Sequence, residues 1–404
     1  MKGRMFYTLL IFVLAIFTLC SCQQEMEFEN DTNIEIPIPS EGYIFFSTGI
    51  ADTRGGAIPT GPLNGDFSVL GYRYPSTWGA IKPQAKQTLR ISYTNNNNEL
   101  VGATETNKDN HVGVFGINHA STPNYSTATP GVQTITYDNT SGSCSYTPLQ
   151  SWQKNLKYAF FAWYPATLEA NGDNNAYEGS PYITYTLPVG VDRTARQSMV
   201  DVLTACRIDY TKRDGLTVPL KMKHRLAALD IKAESLITAS ALKDTYNSEF
   251  GTVADNAEVV IDVTSLSLTL NGIHTSATIP LDDTDTDKEI EATGSANKTY
   301  TGFAATNAVT AGEVVSLVGD DELLLLIPQT GNISANVNVN YTVTCDGKEK
   351  AFTGVTPSSS ITINGLESGV FHYLVLTFTK SGLFVQANKA ATWKDRTDVE
   401  HTFE

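Results

Sequence analysis

The chain has 404 residues, 41% of them hydrophobic and 18% charged, with a formal net charge of −15. That apolar fraction excludes wholesale disorder. So acidic a chain repels phosphate backbones, which excludes a nucleic-acid partner, and its length predicts two or three domains.

Residues 1–22 read MKGRMFYTLLIFVLAIFTLCSC. Lys2 and Arg4 form a charged start, and residues 6–19 form an apolar run too short for a comfortable bilayer span. The run ends in Leu19-Cys20-Ser21-Cys22, which resembles a bacterial lipobox. Residues 1–21 are therefore expected to be a lipoprotein signal peptide, and Cys22 the lipidated first residue of the mature chain. That chain keeps 404 − 21 = 383 residues, and the loss of Lys2 and Arg4 takes its charge from −15 to −17. No other stretch has the ~18 apolar residues a crossing needs, so the lipid on Cys22 is the expected anchor in the outer membrane. Residues 22–40 begin Cys22-Gln23-Gln24-Glu25 and read as an acidic tether, similar to the surface-export signal of Bacteroidetes lipoproteins.

Strand patterns follow. Tyr43, Ile44, Phe45 and Phe46 form the first, and then residues 67–72, 89–93, 112–117, 132–137, 158–164 and 183–187. Turn clusters such as Asn95-Asn96-Asn97-Asn98 separate them. Short helices are predicted over 196–205 and 235–249, and one strand over 220–233. Leu266, Leu268 and Leu270 alternate with polar residues before a hairpin signal at Asn271-Gly272. Residues 333–345 are apolar or small at every odd position and polar at every even one, the pattern of a strand with one buried face. Residues 370–379 and 383–387, joined by Lys380-Ser381-Gly382, read as a hairpin. These elements predict an all-β fold of two tandem antiparallel β-sandwiches, at 41–217 and 218–404.

Catalytic signatures are missing. There is no zinc-protease motif, nucleophile elbow, phosphate loop or dinucleotide fingerprint, so neither an enzyme nor a cofactor is expected. Asp283, Asp285 and Asp287 imitate the first ligands of a calcium loop, but Lys288 and Gly294 stand where that loop needs Gly and Glu. Cys144, Cys206 and Cys345 are too few and too scattered for a disulfide framework and are expected to be isolated thiols. Tyr72, Tyr74, Trp78, Trp152 and Trp163 could stack on sugars or fill a core.

Several segments fall in a telling order. They are Phe46-Ser47-Thr48, Thr53-Arg54, the run 67–72, Tyr158 to Pro165, and Val202-Leu203-Thr204-Ala205. Val218 to Leu226, Leu324 to Gln329, Gly369 to Leu376, and Ala391-Thr392-Trp393 complete the series. With the lipoprotein signal, the series resembles the fimbrillin-like lipoproteins of Bacteroidetes, subunits of protease-assembled pili. The resemblance implies transthyretin-like sandwiches and a cell-surface, fimbrial location. It also implies that an arginine-specific protease removes the first strand and that a strand from another pilus subunit refills the groove. Here the removable strand would be Tyr43, Ile44, Phe45 and Phe46, and the cut would follow Arg54, beside Gly55-Gly56. Burying about five apolar side chains at ~2 kcal/mol each would supply ~10 kcal/mol before ordering costs. The tail 394–404 offers only Val399 and Phe403 as apolar donor residues, which suits a tip or accessory subunit. The alternative is a surface glycan-binding lipoprotein, which would need exposed aromatics.

Cys22→Ser is expected to move the chain from the detergent phase to the aqueous phase in detergent partitioning. Unchanged partitioning would remove the lipoprotein reading.

Overall fold

Strands make up almost all the regular structure of the chain. The computed structural model describes residues 43–50, most of 63–77, the strands at 91–94, 100–101 and 112–114, residues 132–171 with short breaks, and 181–389 apart from 285–288, 304–307 and 320–321. The span Ser40–Glu404 forms one contact unit. The first half supplies β1 (Phe45–Ile50), β2 (Phe67–Tyr74), β3 (Ile91–Thr94), β4 (Leu100–Val101), β5 (Val112–Val114) and β6 (Val132–Asp138). It continues with β7 (Ser143–Ser145), β8 (Lys157–Tyr164), β9 (Ala170–Asn171), β10 (Tyr182–Thr186), β11 (Leu203–Tyr210) and β12 (Thr217–His224). Helix α1 (Arg193–Gln197) precedes β11.

Ten of these strands form one sheet in the order β1-β12-β11-β8-β2-β5-β3-β4, with β6 on β2 and β7 on β6. Its middle is buried on both faces, which explains why Tyr158-Ala159-Phe160-Phe161-Ala162-Trp163 is apolar at every position. Ala159, Phe161 and Trp163 join a large core shared with the rest of the molecule. Tyr158, Phe160 and Ala162 point the other way, into a second, smaller core.

The second half supplies β13 (Ala227–Ser235), the helices α2 (Ala239–Thr245) and α3 (Asn247–Phe250), β14 (Val259–Ile273), β15 (Ser276–Pro280), β16 (Glu291–Thr293) and β17 (Ala296–Phe303). Next come β18 (Val309–Thr310), β19 (Val314–Ser316), β20 (Leu324–Leu326), β21 (Ile333–Cys345), β22 (Lys348–Val355), β23 (Ile361–Ile363), β24 (Phe371–Thr379) and β25 (Gly382–Lys389). Two sheets, β19-β13-β24-β25 and β17-β14-β21-β22, contribute to the large core. Strand β21 keeps the expected alternation, buried at every odd residue from Ile333 to Cys345. Most pairs are antiparallel, but β1 with β12, β3 with β5 and β13 with β24 run parallel.

Four local expectations change. Leu203, Thr204 and Ala205 belong to a strand paired with β8, so the helix expected over 196–205 is only α1, begun by Asp192, whose carboxylate accepts the Ala195 N–H at 2.8 Å. The helix expected over 235–249 is two short pieces, α2 and α3, because Thr238 is the first N-cap, its hydroxyl accepting the Ala241 N–H, and Tyr246 interrupts the turn. Asn271-Gly272 is a register shift inside β14; the chain leaves that sheet at His274 and enters β15, which pairs with β10. The single strand expected over 220–233 is two, β12 and β13. Because β12 is bonded to β1 and β11, sheet membership changes at Arg225–Leu226, after the 217/218 division read from the sequence.

The two halves interlock in two ways. Strands β9 and β10 from the first half and β15 and β16 from the second make one four-stranded sheet, with Tyr182 to Thr186 opposite Pro280 to Ser276. Beside it, Arg196 of α1 is fully buried. Its guanidinium donates to the Thr301 carbonyl and to Gly302 O at 3.2 Å, lies 3.7 Å from the Phe303 ring centroid, and stands 3.5 Å from Glu322 Oε2. Arg193 donates to Glu322 Oε1 at 2.6 Å from the surface.

Arg196→Ala should cost about 3–5 kcal/mol in urea denaturation, because it strips buried Glu322 of its buried partner. Arg193→Ala, with its side chain more than half exposed, should cost under about 1 kcal/mol. Equal losses would overturn this role for Arg196.

Candidate functional site: the first strand and its groove

Strand β1 lies at one end of the large sheet and runs parallel to β12, with Phe46 opposite Val218 and Thr48 opposite Leu220. Phe45 N–H donates to Leu216 O at 3.1 Å. In a parallel ladder that places the odd residues of β1 in hydrogen bonds to the even residues of β12. Pro219, which has no N–H, therefore directs its backbone away from β1 and towards β11. There the β11–β12 pairing stops after Leu203–His224 and Thr204–Lys223, and a cavity of about 360 Å³ opens, lined in part by Arg207, Lys221 and Asp283. Asp283, the first residue of the calcium-like run, pairs there with Lys223 and accepts the Cys206 thiol at 2.6 Å. Among the described residues no cluster of His, Cys, Asp and Glu could hold a metal.

The side chains of β1 divide by parity. Ile44 and Phe46 are buried in the smaller core, while Tyr43 and Phe45 are half-buried and Ser47 is exposed. The Phe46 ring meets Phe160 edge-on at 5.4 Å and Tyr146 at 5.7 Å. Val218, Leu220 and Met222 of β12 complete that face, with Trp152 packed on Tyr158 behind them. Fully burying Ile44 and Phe46 is worth about 3–6 kcal/mol. After Ile44 and Phe46 the next inward place falls to Thr48, whose hydroxyl is buried.

Among the described residues, side chains from β7 and the residue after it hold the edge of β1 that faces away from β12. Tyr146 donates its hydroxyl to Ile44 O at 2.7 Å, a buried bond between residues 102 positions apart. Cys144 hydrogen-bonds the Thr48 backbone, and burial pushes its thiol up to about 12 despite that contact. Cys144, Cys206 and Cys345 are all free.

The other site expectations divide between core residues and residues outside the description. Cys22 and Arg54 lie outside the described residues, as does the tail 394–404. Tyr43 forms an isolated bridge, and the strand extends on to Ile50, further towards Arg54 than expected. Tyr72, Trp152 and Trp163 are buried in the two cores, which takes them away from a sugar-stacking role. Trp78 and the side chain of Tyr74 lie outside the described residues. Sequence reading missed Tyr146 and Cys144; nothing in Ser143-Cys144-Ser145-Tyr146 marks them, since their partners are a hundred residues away. The buried face Val218, Leu220, Met222 was legible as alternation in β12.

A family model of fimbrillin-like proteins matches residues 94–393. The chain belongs to the fimbrillin-like family. Strand β1 precedes the matched span. No curated protein matches the chain. Among solved structures, this fimbrillin-like chain is similar to a fimbrial protein from Bacteroides vulgatus, at 17% identity and a TM-score of 0.51, over 87% of this chain and all of that one. It is also similar to a proposed cell adhesion protein from Bacteroides uniformis, at 15% identity and a TM-score of 0.39, over 88% of this chain and 99% of that one. At such identity the first likeness speaks for the shared all-β fold of the fimbrillin-like chain.

Phe46→Ala should destabilise this fimbrillin-like chain by about 3–5 kcal/mol. It should also free Cys144. A thiol held near 12 stays protonated at pH 8, and a return towards ordinary values should speed iodoacetamide labelling by on the order of 50-fold. Cys345, buried in the large core rather than the smaller one that β1 helps to close, should keep its parent rate. Cys144 labelling as slow as in the parent would show that β1 does not shield it.

Proposed function

We propose that this chain is a fimbrial subunit of tip or accessory type. It is held at the outer membrane by lipid on Cys22, cut after Arg54 by an arginine-specific protease, and joined to other pilus subunits by donor-strand exchange. Its fimbrillin-like family supports a fimbrial role at the cell surface, structural rather than enzymatic. The finer reading is supported above all by one observation: among the described residues β1 is a terminal strand that pairs with β12 and, with Ile44 and Phe46, closes part of the smaller core. Taking it away would bare the Val218 and Leu220 backbone groups together with the Ile44 and Phe46 sites. An open edge above apolar pockets templates another strand. Gly55-Gly56 after Arg54 gives a protease an unencumbered segment.

The reading is tested by exposing the full chain to an arginine-specific protease and sequencing the new N-terminus. Gly55 is the expected first residue. The cut chain alone should form few long fibres, since Val399 and Phe403 are the only apolar residues of its tail, and should join one end of a fibre built by a stalk subunit. Long homopolymers would overturn the tip or accessory assignment. Failure of the cut chain to take up any strand would overturn strand exchange.

A further inference from the structure

Resting on the strand-exchange reading, the geometry around β1 also says what kind of strand the groove accepts. Contacts act on Ile44, just before β1, and on Phe45, Phe46 and Thr48 within it, and each is tied to a particular residue. The Ile44 site is completely closed to solvent and its carbonyl receives the Tyr146 hydroxyl. The Phe46 site is walled by the rings of Phe160 and Tyr146 and by Val218 beside it. At Thr48 the backbone meets Cys144, and the hydroxyl Oγ1 is buried with no partner among the described residues. Phe45, between them, bonds the β12 side through its N–H and turns its ring away from the core.

We propose that the groove reads the register of its occupant and selects an extended segment of the form aliphatic-x-aromatic-x-small, running parallel to β12, with Tyr146 as the positioning residue. A slip of one residue turns every core side chain outwards. It also moves the bonding backbone groups from β12 to the Tyr146 side. A slip of two residues keeps the parity but drives the aromatic ring into the Ile44 or the Thr48 site. The small third position follows from Thr48: its hydroxyl is unpartnered there, so valine, of the same shape, fits at least as well. The tail of this chain fails the pattern. With Phe403 in the aromatic site, His401 falls on the closed Ile44 site, and with Val399 at the Ile44 site, His401 falls on the aromatic one. Residues 394–404 are therefore not the segment that the groove selects.

The test uses the full chain with a specific protease site in place of Gly55-Gly56, cut and then offered labelled octapeptides. The parent peptide is residues 43–50, Tyr-Ile-Phe-Phe-Ser-Thr-Gly-Ile. A peptide with Phe46 and Ser47 exchanged has the same composition and should bind at least about 100-fold more weakly, as should the Phe46→Ala peptide. Ser47→Ala should stay within about 2-fold, and Thr48→Val should match the parent or exceed it. A peptide of residues 397–404 should bind no better than the exchanged one. In the acceptor, Tyr146→Phe should weaken the parent peptide about 5-fold and narrow the gap between parent and exchanged peptides. Equal binding of the parent and exchanged peptides would overturn register selection and leave strand exchange standing. An unchanged gap in Tyr146→Phe would remove Tyr146 from the reading. If no peptide displaces the resident strand at any concentration, strand exchange itself fails, and register selection with it.

Discussion

The parallel ladder between β1 and β12 is the constraint from which the first half of the molecule takes its shape. A strand has one parity of side chains for each face and one parity of backbone groups for each edge. Here all four sets are used. Even side chains of β1 close the smaller core, odd ones meet the outside, odd backbone groups bond β12, and even ones meet Tyr146 and Cys144. Because the sheet is apolar on both faces, the smaller core needs a cover, and β1 with Tyr146 and Trp152 provides part of it.

A second constraint ties the halves together. A pair of independent sandwiches would each close its own sheets. Here β10 and β15 pair across the division, so neither half has all its ladder bonds without the other. Arg196 adds a buried charge whose partners, Thr301, Gly302, Phe303 and Glu322, all belong to the second half. Such a cation is tolerated only where carbonyls, a ring and a carboxylate converge on it. The position of α1 is therefore specified by chemistry as well as by apolar packing.

The all-β class was legible because strands with one wet face alternate, as in Ile333–Cys345, and strands buried on both faces do not, as in Tyr158 to Trp163. The hairpin of β24 and β25 was legible for the same reason, with its turn residues in place. The switch from β12 to β13 was hidden, because Arg225-Leu226 contains neither Gly nor Pro, although the apolar parity changes across Leu226-Ala227-Ala228-Leu229 from even positions to odd ones. Asn271-Gly272 misled because the left-handed conformation that suits a turn also suits a register shift: Gly272 has φ of 77°. In the site, the strand was readable from its own residues. The Tyr146 hydroxyl and the Cys144 contact were not, since each depends on a chain segment about a hundred residues away whose local sequence is unremarkable.

The parallel arrangement of β1 and β12 bears on how the seam between them responds to force. A tug along the axis of β1 would load the backbone bonds of the ladder from Phe45 to Ile50 together, in shear, with the Phe46 ring having to leave its aromatic walls in the same event. A tug across the sheet would instead open the bonds one at a time from an end, as a zip does. Any strand seated in that place would inherit the same asymmetry: strong along the line of the chain and yielding to a sideways peel.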